Sequence, residues 1–150
     1  MTEEQVVIFQ VENEEYALRM ADAKEIVYYQ EAVKLPHTPA YMEGMIMVHG
    51  QSIPVVNLSA KFGLPSGKNP DRRIIITEIG ARKIGVAVDA VNEVLYLATA
   101  NIEPTSGGSS DPGACIKGIG KVGKRLIVLL DLGYLFSGEE LNSFQGACCI

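Results

Sequence analysis

The chain repeats itself, and that repetition restricts its fold more than any other feature. Val6, Val7, Ile8 and Phe9 correspond to Ile74, Ile75, Ile76 and Thr77. Tyr16, Leu18 and Met20 correspond to Ile84, Val86 and Val88, and Glu25-Ile26 to Glu93-Val94, all at one spacing. Further along, Ile53-Pro54-Val55-Val56-Asn57-Leu58 matches Ile127-Val128-Leu129-Leu130-Asp131-Leu132, with Gly44, Val48 and Phe62 matching Gly118, Val122 and Phe136. This second spacing is six residues wider, and the Ser/Gly/Asp/Pro stretch at residues 105–114 accounts for the difference. A repeated order of elements points to two copies of one supersecondary unit.

Each copy reads hairpin, bend, hairpin, short helix. In the first, residues 5–11 and 16–20 flank a polar turn, with Tyr16, Leu18 and Met20 alternating at period two. Residues 22–27 suit either one helical turn or a bent continuation. Thr38-Pro39 offers an N-cap before a proline, so a short helix is expected through Tyr41 and Glu43, ending at Gly44. Residues 44–58 then hold two apolar runs around His49-Gly50-Gln51-Ser52. A glycine supplying positive φ predicts a tight hairpin there. Pro54 is expected at an edge or a bulge, where no ladder donor is needed. Residues 58–62 read as a short helix stopped by Gly63.

The second copy follows a linker rich in Pro, Gly, Ser and Asn at residues 64–72. Strands are expected at residues 73–79 and 83–88, a second ambiguous stretch at 89–97, a hairpin at 116–130 and a short helix at 132–136. Short strands in this number suit small closed barrels, which leave no exposed edge. One ~65-residue barrel is marginal alone, so two should pack together with a groove at their junction. The domain expectation is a single domain over residues 1–150, with units at 5–68 and 73–137 and a weakly patterned tail at 138–150.

Composition excludes several classes of function. Apolar residues make up 47% of the chain, ample for a core. The apolar run at residues 126–130 is far short of the ~20 residues of a membrane helix, and residues 1–4 lack a signal-peptide pattern. A soluble, cytoplasmic protein without membrane insertion is therefore expected. A net charge of −5 and the absence of Trp argue against nucleic acid as a partner. Cys115, Cys148 and Cys149 form no disulfide framework and fit a reducing compartment. With only His37 and His49 as histidines and no Cys-x-x-Cys, no metal is expected.

Two motifs invite chemistry. Residues 118–123 fit G-x-G-x-x-G, but a phosphate cradle needs those glycines to open a helix, and residues 125–130 read as a strand. Close barrel packing is the expected use. His49 has Ser52 and Asn57 near it in sequence, and Asp89 at an unknown distance, but no nucleophile-elbow pattern is present. His49 thus reads as a hairpin-tip residue, either solvated or touching a partner. Glu25 and Glu93, equivalent in the two copies, read as solvated carboxylates or interface groups. No catalytic residue and no cofactor are expected.

These residues resemble those of the CheW-like bacterial chemotaxis coupling proteins. Residues 44–58 are similar to that family's G-V-x-N-L-R-G-x-I-x-P-V-V-D-L segment, and residues 85–94 to its G-x-x-V-D-x-V-x-E-V. Residues 117–120 and 125–131 resemble its third motif. The resemblance spans roughly residues 5–136. It implies an all-β fold of two intertwined five-stranded SH3-like barrels with short connecting helices and a groove between them. It implies a non-enzymatic adaptor, monomeric when free, that joins the cytoplasmic tip of chemoreceptors to the regulatory domain of the histidine kinase CheA. By position, Ala23, Glu25, Gly44, His49 and Gly50 would lie on or near the receptor-facing surface. His49 stands where the family usually has Arg, and Met47 where it has Asn. An ion pair at His49 would be weaker than one made by Arg and sensitive to pH near ~6.5. That departure leaves room for a divergent array or a related motility pathway. A groove that binds a small-molecule signal is the alternative reading.

Overall fold

The computed structural model describes residues 3–36, 41–61, 63, 71–79, 82–104 and 116–130. Eleven strands carry most of these. They are β1 (Glu3–Val11), β2 (Glu14–Arg19), β3 (Ala23–Tyr28), β4 (Met42–Val48), β5 (Gln51–Asn57), β6 (Arg73–Ile79), β7 (Arg82–Val88), β8 (Ala90–Ala98), β9 (Ile102–Pro104), β10 (Ile116–Val122) and β11 (Arg125–Leu130). One helical turn, α1 (Leu58–Lys61), follows β5, and a 3-10 turn (Thr99–Asn101) joins β8 to β9. The fold is all-β.

The strands form two sheets with matching orders, β3-β6-β7-β5-β4 and β8-β1-β2-β11-β10-β9. Each position in one sheet is filled by the repeat-related strand in the other. Each sheet also mixes the two copies. The first hairpin of the chain, β1–β2, sits among β8–β11, and β6–β7 sits among β3–β5. The exchange is sealed by two parallel pairings, β2 with β11 and β5 with β7. In the first sheet Val33, downstream of β3, returns to bridge Met45 of β4 and so closes a barrel. In the second sheet β9, downstream of β8, does the same against β10.

Both faces of the central strands are buried, which explains their near-continuous apolar runs. Val6 and Ile8 of β1 pack inside the second barrel with Ala17, Leu97, Ile127 and Leu129. Val7, Phe9 and Val11 point the other way, into a core shared with Leu18, Ile75, Val86 and Leu130. Ile74 and Ile76 of β6 fill the first barrel with Ile46, Val48, Ile53 and Val55. Successive residues of a strand face opposite sides, so β1 and β6 each belong to a barrel interior and to the core between the barrels.

Four bulges repeat as well. Lys24 in β3 and Asn92 in β8 are the extra residues against β6 and β1. Glu43 in β4 and Lys117 in β10 are the extra residues against β5 and β11. Matching bulges in matching strands show that the copies share their irregularities and not merely their alternation.

Several expectations need correction. No helix runs through Tyr41 and Glu43: β4 already begins at Met42, paired with Val56. Gly44 ends no helix; it lies inside β4 with φ 138° and allows the backbone of Val33 to approach. Pro54 is neither on an edge nor in a bulge, since β5 lies between β7 and β4. It is tolerated because it opposes Met45, whose N–H and C=O both bond to Val33 on the far side. On its other flank, pairing with β7 begins only at Val55. The ambiguous stretches at 22–27 and 89–97 both contain strands. Helix α1 forms as expected, with the Asn57 side-chain oxygen accepting from the Ala60 N–H at 3.0 Å and Gly63 beyond it at φ 75°. The expected loop at 105–114, helix at 132–136 and tail at 138–150 lie outside the described residues.

Candidate docking site

The tip of the β4–β5 hairpin is a two-residue turn in which both His49 (φ 50°) and Gly50 (φ 78°) take the left-handed conformation. That is the turn whose twist matches flanking strands. It presents the His49 side chain with 77% of its surface exposed. The imidazole Nε2 lies 2.8 and 2.9 Å from the two carboxylate oxygens of Glu25. Glu25 belongs to β3, at the opposite end of the strand order. The contact therefore joins the two borders of the first sheet, as the Val33–Met45 bridge does through backbone. Ala23 and Gly44 are buried. They touch the surface only by fixing where Glu25 and the hairpin stand. Gly50 is exposed beside His49.

The second barrel carries its own version of this contact. Glu93, the counterpart of Glu25, accepts from Arg125 Nη1 at 2.7 Å. The same guanidinium grips Glu15 through Nε (3.0 Å) and Nη2 (2.6 Å), and Asn92 Nδ2 donates to Glu15 at 3.2 Å. Nothing in the sequence joins Glu15 to Arg125, 110 residues apart; only the parallel β2–β11 pairing brings them together. The Arg125 hydrogen bonds hold the Glu15 carboxyl below its usual range, against an opposing push from burial. The folded value is depressed, so the contribution to stability is present above the unfolded carboxylate range and is lost as pH falls through the folded value. Arg125→Gln is expected to lower Tm at neutral pH. The gap to wild type should close as the pH is taken below the carboxylate range, measured by thermal melts across pH. A gap independent of pH would refute this assignment.

Four exposed apolar side chains near these contacts are repeat-related. Ile26 and Tyr28 of β3 correspond to Val94 and Tyr96 of β8, and all four are exposed, Tyr28 at 77% and Tyr96 at 66%. Ile26 opposes Ile75 and Val94 opposes Val7, both members of the core between the barrels. Each exposed pair therefore prolongs the inter-barrel apolar face past its covered part. Arg73 lies over the Tyr28 ring at 4.4 Å. The resemblance pointed to Glu25 and His49, but not to these four residues. Strand alternation would have placed them on one face, but the bulges at Lys24 and Asn92 hide that register.

Groups suggested for chemistry are engaged elsewhere. Asn57 donates to Glu43 and caps α1. Asp89 accepts from the Glu12 N–H at 2.6 Å. The glycine run 118–123 lies on β10 and its turn and opens no helix. A Cβ on Gly118 would fall 2.8 Å from the Glu103 carbonyl oxygen, and one on Gly120 would fall 2.7 Å from Leu97. These glycines let strands and side chains approach closely, as expected. Among the described residues no cluster of three or more His, Cys, Asp or Glu could hold a metal ion. No helix among them is long and apolar enough to cross a membrane.

Two SH3-like barrels that exchange a hairpin, each with an exposed apolar pair on one face of its border strand and a carboxylate contact on the other, define a duplicated docking module. Comparison with known proteins agrees. The CheW-like domain family model matches residues 5–140. The probable chemotaxis protein CheW of Rhizobium etli is 32% identical over 138 residues, covering 91% of this chain and 89% of its own. The chemotaxis protein CheW of Rhizobium meliloti is 30% identical over the same shares. The crystal structure of the scaffolding protein TtCheW from Thermoanaerobacter tengcongensis superposes with a TM-score of 0.84 at 36% identity, covering 93% of this chain and 96% of that one. The chain belongs to the CheW-like domain family, and its role is that of a chemotaxis scaffold.

Proposed function

We propose that this protein couples the cytoplasmic tips of chemoreceptors to the regulatory domain of the histidine kinase CheA. It does so by docking alone, in the cytoplasm, as a monomer when free and without catalysis, cofactor or metal. Residues 5–68 and 73–137 are the two duplicated units, each lending its first hairpin to the other's barrel. The observation that carries the reading is that Ile26 and Tyr28, and their repeat-related counterparts Val94 and Tyr96, are exposed apolar side chains, Ile26 and Val94 lying opposite Ile75 and Val7 of the inter-barrel core. An apolar helical tip is the natural occupant of such a surface. On the other face of β3, Glu25 with His49 and Gly50 forms a second, polar contact surface, and Ala23 and Gly44 support them from beneath.

The test is titration calorimetry with a soluble chemoreceptor-tip fragment. Ile26→Asp and Val94→Asp put a charge into the apolar surface at exposed positions. Each is expected to weaken binding roughly tenfold or more, while affinity for the CheA regulatory domain stays at the wild-type value. Wild-type affinity of both variants for the receptor fragment would overturn the reading.

A further inference from the structure

The two barrels differ at one matched border. In the first, the Val33 N–H and C=O both bond to Met45 of β4 at 2.9 Å, so the two residues stand directly opposite and share a face. Met47, two residues on, lies on that face as well, while Ile46 and Val48 point into the barrel. Val33 is 70% exposed and Met47 61%. Met45, which neighbours both, packs against the core between the barrels. In the second barrel Glu103 of β9 opposes Ile119 of β10, and Lys121 follows two residues on. These three are the counterparts of Val33, Met45 and Met47. Here the outer two form an exposed ion pair, Lys121 Nζ to Glu103 Oε1 at 2.7 Å. The same place in the fold therefore carries an ion pair on one barrel and two exposed apolar side chains on the other.

We infer that Val33 and Met47 are specificity-determining residues: their apolar patch takes an apolar side chain from the chemoreceptor tip. The inference rests on the coupling role proposed above and names what one part of the surface selects. Two observations choose this occupant. Through Met45 the patch joins the same core that Ile26 and Val94 border, so it extends the apolar surface assigned to the receptor tip. Met47 also stands two residues before the exposed hairpin-tip His49, at a position where the family motif has Asn. An amide there would offer donors and an acceptor. A thioether offers only a weak acceptor and adapts its shape to an apolar neighbour. A polar group pressed against Val33 and Met47 would lose water and find no hydrogen bond, whereas an apolar one gains by burial. Ser52, exposed and opposite Met47, bounds the patch on its hairpin side. The second barrel cannot take the same side chain at the matching place without stripping water from the Lys121–Glu103 pair.

Titration calorimetry with the soluble chemoreceptor-tip fragment, and separately with the CheA regulatory domain, tests this. Val33→Glu combined with Met47→Lys rebuilds on the first barrel the pair that the second already carries, and it leaves the backbone bridge from Val33 to Met45 in place. This double variant is expected to bind the receptor fragment roughly tenfold more weakly and with a smaller negative heat-capacity change. Its affinity for the kinase domain should stay at the wild-type value. Met47→Asn, a milder change that does not depend on the double variant folding, should weaken receptor binding in the same direction. Met47→Leu should keep it within about twofold. Wild-type receptor affinity in both the double variant and Met47→Asn, or a loss confined to the kinase domain, would overturn this inference and leave the coupling role standing. A wild-type chain that binds no receptor fragment would overturn both.

Discussion

Replacing Gly44 by alanine is expected to destabilise the protein by about 3–5 kcal/mol, among the largest effects available to a single methyl group. Two costs coincide there. Gly44 has φ 138°, a conformation that side-chain-bearing residues rarely adopt. The added Cβ would also lie 2.1 Å from the Val33 carbonyl oxygen and 2.6 Å from its carbon. Those atoms are backbone and cannot swing aside. They also belong to the bridge that closes the first barrel, in which Val33 N–H and C=O both pair with Met45 at 2.9 Å. Relieving the clash therefore means opening the barrel. Gly50→Ala is the control. Its φ of 78° is also left-handed, but nothing lies within 4 Å of the new methyl, so the cost should be about 1–2 kcal/mol. Urea unfolding of both variants checks this, and equal losses would mean that Val33 does not close the barrel against Gly44.

Glu43→Leu is the second variant expected to have a large effect, about 2–4 kcal/mol. As the extra residue of the β4 bulge, Glu43 gathers groups from three other segments. One oxygen accepts from Arg72 at 2.8 Å and from Asn57 at 2.9 Å, and the other from the Tyr29 hydroxyl at 3.1 Å. The Arg72 and Glu43 side chains are only 13% and 17% exposed, and the guanidinium also lies 3.9 Å over the Tyr29 ring. Leucine removes the shared acceptor and leaves a guanidinium mostly out of water without its carboxylate. Glu43→Leu combined with Arg72→Met should recover part of the loss, because no charge is then stranded. The tyrosine gives a second readout. Burial first, and then the Glu43 charge, push the Tyr29 hydroxyl above the usual phenol range. In Glu43→Leu its titration should move back only part of the way. A double variant less stable than Glu43→Leu alone would contradict this account.

Local features of the fold were legible in the sequence, and its long-range pairings were not. The β4–β5 and β10–β11 hairpins announce themselves through glycine between apolar runs, because turn geometry and strand alternation are short-range properties. Helix α1 is legible for the same reason. The misread helix before Gly44 shows the opposite case: Thr38-Pro39 is a sound local start signal, but Met42 pairs with Val56 instead. Strands β3 and β8 were ambiguous because the bulges at Lys24 and Asn92 break their period. The hairpin exchange rests on the parallel pairings β2–β11 and β5–β7, which leave no local mark. At the site, the resemblance placed Glu25 and His49 on one surface, and the structure brings them into contact. Arg125 escaped notice because its partners, Glu15 and Glu93, are distant in sequence.

The coupling role makes one demand above the rest: a single copy must hold both partners together. Size-exclusion chromatography with light scattering, on this protein mixed with a chemoreceptor-tip fragment and a CheA regulatory domain, reads that directly. The expected result is one species whose mass contains all three chains. Partners that displace each other, or a chain that elutes alone in the presence of both, would contradict it.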